Sequence, residues 1–382
     1  MLFVTPDIDG AELAVIAQID DLRETMRVWL HEPRRWAGSL RRVQFARAVQ
    51  GSNSIEGFDA PLDDALAIEM GEDPLDAPHE TALAIRGYRD AMTYVLQMAD
   101  QPWFHYGEQL LRSLHFMMTG YSLRNSPGLW RPGTVYVRND DTGAIVYEGA
   151  AVEDVPDLMH ELVVQLNADN DTPVMVRAAM AHLNLVLVHP FRDGNGRMAR
   201  CLQTLVLARE GILSPVFGSI EEYLGRNTQA YYDILAGVGG GSWQPERDPR
   251  PWVRFCLTAH LRQGRTTLRR IKESERLWID LERLAGHFAL PERTIIATYD
   301  AASGLRVRNA VYRAFFDETE DEITEQVASR DLRRLTEVGL LVPHGEKRGR
   351  FYTASRQLRE IQGAIVAARD PRDDSDPFAA TA

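Results

Sequence analysis

The sequence predicts a mainly α-helical protein with one β-hairpin near its middle and a winged helix toward its C-terminal end. Three observations carry that reading. Through most of the 382 residues, apolar side chains recur at helical spacing or in long runs without strand-like alternation. Strand character is confined to Thr134–Arg138 and Ala144–Tyr147, with Asn139-Asp140-Asp141-Thr142-Gly143 as the turn between them. Near the end, a short helical pattern (Ile323–Val327), a longer one with its exit (Ser329–Leu341) and a basic turn (Gly345–Thr353) follow in the order of a winged helix.

Each element has a local reason. Residues 1 to about 50 read as helix, with Leu13, Ile16, Ile19, Leu22, Met26 and Leu30 as an apolar stripe and a break near Pro33. Helix resumes after Pro61. Gly71–Pro78 is a loop by its Gly, Pro and Asp content. Glu80–Met98 is a helix with Leu83, Tyr88, Met92, Tyr94 and Val95 as core. Val155–Leu166, Met175–Val188 and Cys201–Ala208 are helical, Gly237–Gly241 is a flexible loop, and helix returns at Trp252–His260. Leu268–Leu284 is an amphipathic helix, and residues 369–382, rich in Asp, Pro and Ala, are expected to lack structure. The implied units are 1–100, 101–261, 262–368 and the tail 369–382.

Composition narrows the class. A net charge of −12 argues against a general polyanion-binding surface, though not against a local basic patch. Cys201 and Cys256 lie in apolar helical stretches, which predicts buried thiols and not a disulfide framework. The first twenty residues carry Asp7, Asp9 and Asp20 and no basic leader, so no signal peptide is expected. No run is long enough to span a bilayer, so a cytoplasmic protein without membrane contact is expected.

Chemistry concentrates in His189-Pro190-Phe191-Arg192-Asp193-Gly194-Asn195-Gly196-Arg197-Met198-Ala199-Arg200. This stretch joins two apolar helices, and Gly194–Gly196 opens the second. A helix start offers unpaired N–H groups and the positive end of the dipole, and glycines let an anion approach the backbone. Arg197 and Arg200 share a helix face and extend the cradle with forked donors. Asp193 is a hard oxygen ligand placed to hold magnesium on bound phosphates. His189, just outside, can take a proton from an incoming hydroxyl. A Walker loop does not fit, since no Gly-Lys-Ser/Thr follows. A calcium loop does not fit either, because Arg197 and Met198 stand at the next ligand and glycine positions. The bland alternative is a glycine turn between core helices with surface arginines. His105, His115 and His182 read as satisfied, core or surface histidines, with no zinc spacing around them.

His189–Arg200 matches the Fic motif, His-Pro-Phe-x-Asp/Glu-Gly-Asn-Gly-Arg-x-x-Arg, at every fixed position, and the chain resembles a Fic-domain protein. The resemblance implies a Fic-type helical core at 101–261 and transfer of AMP from Mg2+-ATP to a Ser, Thr or Tyr hydroxyl of a target protein. It makes His189 the general base and Asp193 the magnesium ligand. It assigns Gly194, Asn195 and Gly196 to the anion hole, and Arg197 and Arg200 to the distal phosphates. Ser52-x-x-x-Glu56-Gly57 fits the family's inhibitory motif, in which Glu56 pairs with Arg200. In isolation, Asn53 with Glu56 also fits a capping box at a helix start. The hairpin, with Tyr136, Val137, Arg138 and Asn139 lining the site, corresponds to the flap that aligns a target by strand addition. Tyr231 and Tyr232 match a tyrosine pair near the nucleotide, although core packing is the plain reading of two adjacent tyrosines. Where many relatives carry asparagine seven residues further on, this chain has Gly239. The resemblance also implies a homodimer, and leaves open removal of AMP with Glu56 orienting water, or another phosphate donor. A competing class is a nucleotide-sensing regulator whose winged helix binds DNA or protein through Arg330, Arg333, Arg334, Lys347, Arg348 and Arg350.

Overall fold

The computed structural model describes the chain apart from residues 32–33, 139–141, 170, 210, 212–214, 317–321, 347–348 and 380–382, and the side chains of 215–216. Among the described residues the secondary structure is helix with two short hairpins.

Helix α1 (Gly10–His31) buries Val15, Ile16, Ile19 and Met26, whereas Leu13, expected in its buried stripe, is exposed. The reason is electrostatic. Glu12 is fully buried and its carboxylate accepts from Arg250 (3.2 Å) and Arg254 (2.7 Å), which turns the inward face by one position. Helix α2 (Ala37–Ser54) is buried on nearly every side and is followed by α3 (Leu62–Glu69) and α4 (His79–Ala99). The loop before α4 is fixed by Asp64, whose carboxylate accepts the N–H groups of Leu75, Asp76 and Ala77, each at 2.8 Å. Along α4, Tyr88, Met92 and Val95 are buried, while Leu83 and Tyr94 are half-buried.

After α5 (Glu108–Thr119) come strands β1 (Tyr136–Arg138) and β2 (Ile145–Glu148), antiparallel with Tyr136 opposite Glu148 and Val137 opposite Tyr147. Tyr147 anchors the hairpin by donating to the Leu187 carbonyl at 2.8 Å. Helix α6 (Val155–Asn167) leads to α7 (Val174–Val188) and α8 (Asn195–Ala208). These last two pack along their length at the centre of the larger core, and almost every side chain in them is buried. After the short α9 (Pro215–Gly218), helices α10 (Glu221–Arg226) and α11 (Thr228–Gly239) close that core.

Helix α12 (Arg250–His287) corrects an expectation. Where the pattern gave one helix at Trp252–His260 and another at Leu268–Leu284, a single helix of 38 residues, about 57 Å long, spans both. Gly264 does not break it; the missing side chain leaves room for Leu22 of α1, and packing outweighs the roughly 1 kcal/mol glycine penalty. Its first half contributes Trp252, Val253 and Leu257 to the larger core, and its second half Leu277, Trp278 and Leu281 to a second core.

That second core also holds Met26, Trp36 and Leu40 from the N-terminal helices, so the two ends of the chain fold together. It is completed by α13 (Thr294–Ala302), α14 (Asn309–Ala314), α15 (Glu325–Glu337), strands β3 (Leu341–His344) and β4 (Phe351–Ala354), and α16 (Arg356–Ala367). No separate helix forms over Ile323–Val327: the Thr324 side chain caps α15 by accepting the Val327 N–H at 3.3 Å, so a single helix begins at Glu325. β3 and β4 pair with Leu341 opposite Ala354, and Val307 bridges to Tyr352 beside them. Lys347 and Arg348 lie outside the described residues. The described part of the C-terminal tail, expected to lack structure, has no helix or strand but is seated along α12, where Arg265 meets Asp373 at 2.6 Å. Both cysteines are free and buried. Among the described residues no helix is long and apolar enough to cross a membrane.

Candidate active site

The loop between α7 and α8 is shaped by its own sequence. α7 ends because His189 adopts the left-handed region (φ 55°), its N–H closing on the Leu185 carbonyl at 3.1 Å, and Pro190 cannot extend the helix. Asn195 then clamps the turn: its side chain accepts the Phe191 N–H and donates to the Phe191 carbonyl, both at 2.9 Å. Gly194 (φ 76°) caps α8, where the first N–H of the helical ladder is that of Met198, donating to the Gly194 carbonyl at 2.9 Å. The amides of Asn195, Gly196 and Arg197 therefore precede the ladder, as an anion cradle requires.

His189 is half-buried beside this cradle. Its Nδ1 lies 3.1 Å from the Val186 carbonyl, which only accepts, so Nδ1 carries the proton and Nε2 keeps a lone pair. Burial pushes its pKa below the usual imidazole value, which favours the neutral ring with its lone pair free. Arg131 holds the residue from behind, donating to the His189 carbonyl at 2.8 Å, to Gly133 at 2.7 Å and to Ala150. Gly149, just past β2, packs on the His189 Cβ, where any larger residue would be tight.

The two arginines of α8 are both fully buried but differ in partners. Arg200 donates to the Ser52 hydroxyl (2.7 Å), the Ser52 carbonyl (2.9 Å) and Glu56 Oε1 (2.6 Å). Arg197 has Phe58 beneath it at 5.2 Å and Asp193 at 3.9 Å, while its Nε and Nη1 have no acceptor. A buried guanidinium this poorly compensated is a site waiting for an anion. Glu56 already supplies one: its carboxylate lies against Gly196, in the space a side chain there would fill. Burial alone would raise the Glu56 pKa, but Arg200 and Arg197 outweigh it and hold the carboxyl below its usual value. Asn53 sits in the last turn of α2 and donates to the Val49 carbonyl (2.8 Å), so the capping-box alternative for Asn53 and Glu56 does not form.

Asp193 is partly exposed at the rim. Its Oδ2 accepts from Asn125 (2.7 Å) and its Oδ1 from the Gly194 N–H (2.7 Å), which aims the carboxylate and leaves each oxygen a further lone pair. That donor set fits a magnesium ion, which takes one or two protein carboxylates and completes its shell with phosphate and water.

The tyrosines divide. Tyr231 is buried and part of a relay beneath Arg200: Arg200 Nη1 to Tyr231 hydroxyl (3.5 Å), Tyr231 to His182 (2.9 Å), His182 to Gln203 (2.6 Å). Burial pushes the His182 pKa down to about 3, so it remains neutral. Tyr232 is half-exposed and donates to the Ile55 carbonyl at 2.8 Å, next to Glu56. In the β1–β2 hairpin, Tyr136 is exposed, Val137 packs on the core, and Arg138 donates to the Gly143 carbonyl at 3.0 Å. Asn139 lies outside the described residues. Among the described residues β1 pairs only with β2, so its outer edge is open.

Sequence reasoning missed the supports. His115 is buried, stacks on Phe191 at 3.8 Å, bonds the Asp193 carbonyl (2.9 Å) and accepts the Gly128 N–H (2.9 Å). Asn125 and Arg131 do comparable work, and all three lie 58 to 78 positions in the chain from the residues of the α7–α8 loop that they hold.

The site sets an imidazole with a free Nε2 lone pair on the loop that opens α8, whose first amides are placed to receive an anion. Residues 105–207 match the Fic/DOC family model, and the chain carries a Fic domain. A protein adenylyltransferase Fic of Nematostella vectensis is 28% identical over 219 residues, covering 54% of this chain and 45% of that protein. The Caenorhabditis elegans protein adenylyltransferase fic-1 is 40% identical over 106 residues, covering 27% of this chain and 18% of that one. The chain thus spans less than half the length of these curated relatives. Among solved structures, a Fic family protein from Desulfovibrio desulfuricans aligns over 92% of this chain and 98% of its own, with a TM-score of 0.57 at 21% identity, which establishes the shared fold.

Proposed function

We propose that this protein is an adenylyltransferase that moves AMP from Mg2+-ATP to a Ser, Thr or Tyr hydroxyl of another protein, and that Glu56 restrains it. The observation that supports the reading is the buried Arg197 guanidinium, whose Nε and Nη1 lack an acceptor, on the helix that opens at Gly194, with His189 Nε2 keeping its lone pair on the same loop. In the reaction His189 takes the proton from the target hydroxyl as its oxygen bonds to the α-phosphorus. The bond from that phosphorus to its bridging oxygen breaks, and pyrophosphate leaves with the electron pair. The amides of Asn195, Gly196 and Arg197 and the two arginines stabilise the charge gathered on the phosphates, where such reactions gain most. Asp193 would hold the magnesium ion, which neutralises phosphate charge when bound.

Glu56 opposes this. It fills the space over Gly196 and engages the Arg200 guanidinium that a γ-phosphate would need. The open β1 edge supports alignment of a target segment as an added strand. The succession α13, α14, α15 and the β3–β4 hairpin supports a winged-helix reading of the C-terminal unit. Arg330, Arg333 and Arg334 on the exposed face of α15 suit a partner, DNA or protein, with an acidic surface.

The test is incubation with α-labelled ATP and magnesium, followed by denaturing electrophoresis. Glu56→Gly should label protein well above the wild-type level, and His189→Ala in that background should lower labelling by roughly a hundredfold or more. ATP binding by Glu56→Gly with no covalent label would replace the enzyme by a nucleotide sensor.

A further inference from the structure

Between α10, α12 and the C-terminal tail lies a cavity of about 690 Å3, within the size range of small-ligand sites. Its charge contrasts with the rest of the molecule. Eight cationic side chains line it against four carboxylates, in a chain whose net charge is −12. Arg226, Arg262, Arg265, Arg269, Lys272 and Arg276 come from the helices, and Arg369 and Arg372 from the end of the chain.

Arg226 is paired with Glu222 at 2.7 Å, but the lining carboxylates do not neutralise the others. Glu273 is engaged by Arg369 at 2.6 and 2.8 Å, which leaves Arg269 at 3.8 Å from the same oxygen and its Nε without an acceptor. Asp373 is taken by Arg265 at 2.6 Å. Arg262 finds only a tyrosine hydroxyl (3.2 Å) and main-chain carbonyls, that of Asp374 at 2.7 Å, and its Nε is also without an acceptor. Among the described residues no ion pair reaches Lys272, Arg276 or Arg372.

The tail crosses this cavity as a strap. Arg369 ties it to Glu273 at one end, and at the other Phe378 sits under the Arg254 guanidinium at 4.9 Å and packs on the larger core. Between the anchors run Asp370, Asp373, Asp374 and Asp376, placing acidic groups where an anion would sit. Forked guanidinium donors in excess over carboxylates suit phosphate oxygens. The cations come from α10, α12 and the end of the chain around one cavity and not from a single flat stripe, which favours a compact ligand over a duplex.

We propose that this cavity binds the phosphate chain of a small polyphosphate, free or carried by a nucleotide, which takes the cations over from the acidic middle of the strap. The site is separate from the Gly194–Arg200 loop and does not depend on the transfer chemistry. Isothermal titration of the full-length chain with tripolyphosphate, and separately with a nucleoside triphosphate, tests it. Lys272→Gln/Arg276→Gln should weaken tripolyphosphate binding by roughly tenfold, and Asp370→Asn/Asp373→Asn/Asp374→Asn should tighten it. Glu56 is intact in all of these variants, so phosphate bound at the α7–α8 loop contributes equally and cancels. Loss of the nucleotide and tripolyphosphate signals together assigns recognition to the phosphate chain. Unchanged tripolyphosphate binding in Lys272→Gln/Arg276→Gln overturns the proposal. So does a 20-base-pair duplex whose binding depends on those residues when tripolyphosphate binding does not.

Discussion

Glu56–Arg200 and Asp373–Arg265 are ion pairs with the same separation, 2.6 Å, in opposite surroundings. The Arg200 side chain is wholly inaccessible and that of Glu56 is 23% exposed, whereas Arg265 and Asp373 are 37% and 53% exposed. Arg200 also has Ser52 on two sides, so its position is determined before any ligand arrives. Arg265 stands among other cations in water. Both pairs fill a cationic site with one of the protein's own carboxylates, yet only one is built to be specific. Separation does not set the worth of an ion pair; burial and the number of fixed donors do.

The largest expected effect breaks that comparison if it fails. Glu56→Gln removes the counter-charge of a buried guanidinium and should cost about 3 kcal/mol of stability, read from urea unfolding. Asp373→Asn should leave the midpoint unchanged, because water and salt screen the exposed pair. Similar losses in both variants would mean that Arg200 is better solvated than its burial implies. Mg2+-ATP sharpens the contrast: its phosphates replace the missing carboxylate, so it should raise the unfolding midpoint of Glu56→Gln more than that of the wild type.

Acid and base limits separate Glu56 from a second buried carboxylate. Glu56 has a lowered pKa in the fold, so its stabilisation is complete above the unfolded carboxylate value of about 4.5 and is lost as pH falls through the lower folded value. Glu221 is the reverse. Burial raises it to about 7, against the Thr204 hydroxyl at 3.0 Å and the Arg200 charge. The fold then holds a proton that the unfolded chain has released, so stability falls as pH rises from about 4.5 to about 7 and stays lower above. Glu221→Gln should flatten that decline without altering the acid limb, and Glu56→Gln should do the opposite. Unfolding midpoints from about pH 2 to about pH 9 for the two variants check both signs.

What the sequence disclosed follows from how local each cause is. The α7–α8 loop was legible because its geometry comes from neighbours: Pro190, the left-handed Gly194, and Asn195 folding back on Phe191. The hairpin was legible for the same reason, although β1 starts two residues later than the pattern suggested and β2 is shifted by one. His115 was not legible as a support, because a histidine in an amphipathic helix looks the same whether it faces solvent or the Asp193 carbonyl. The continuity of α12 was not legible because the apolar pattern at Trp252–His260 and the amphipathic one at Leu268–Leu284 are separated by a polar stretch that joins them only once both cores are in place. Leu13 was misplaced because the burial of Glu12 depends on Arg250 and Arg254, some 240 residues away.

The smallest expected effect bears on how the Glu56 contact is held. Glu56 lies in a turn just beyond α2, and the Tyr232 hydroxyl donates to the Ile55 carbonyl in that turn at 2.8 Å. Tyr232 is 44% exposed, so its hydrogen bond competes with water and should contribute about 1 kcal/mol or less. Tyr232→Phe keeps the ring and deletes only the donor. If the bond steadies the turn, labelling by Tyr232→Phe should rise a few-fold over the wild type, while the same change in Glu56→Gly should have no effect, since nothing is left to steady. A change of equal size in both backgrounds would place Tyr232 at the nucleotide instead, acting on transfer directly and not through Glu56.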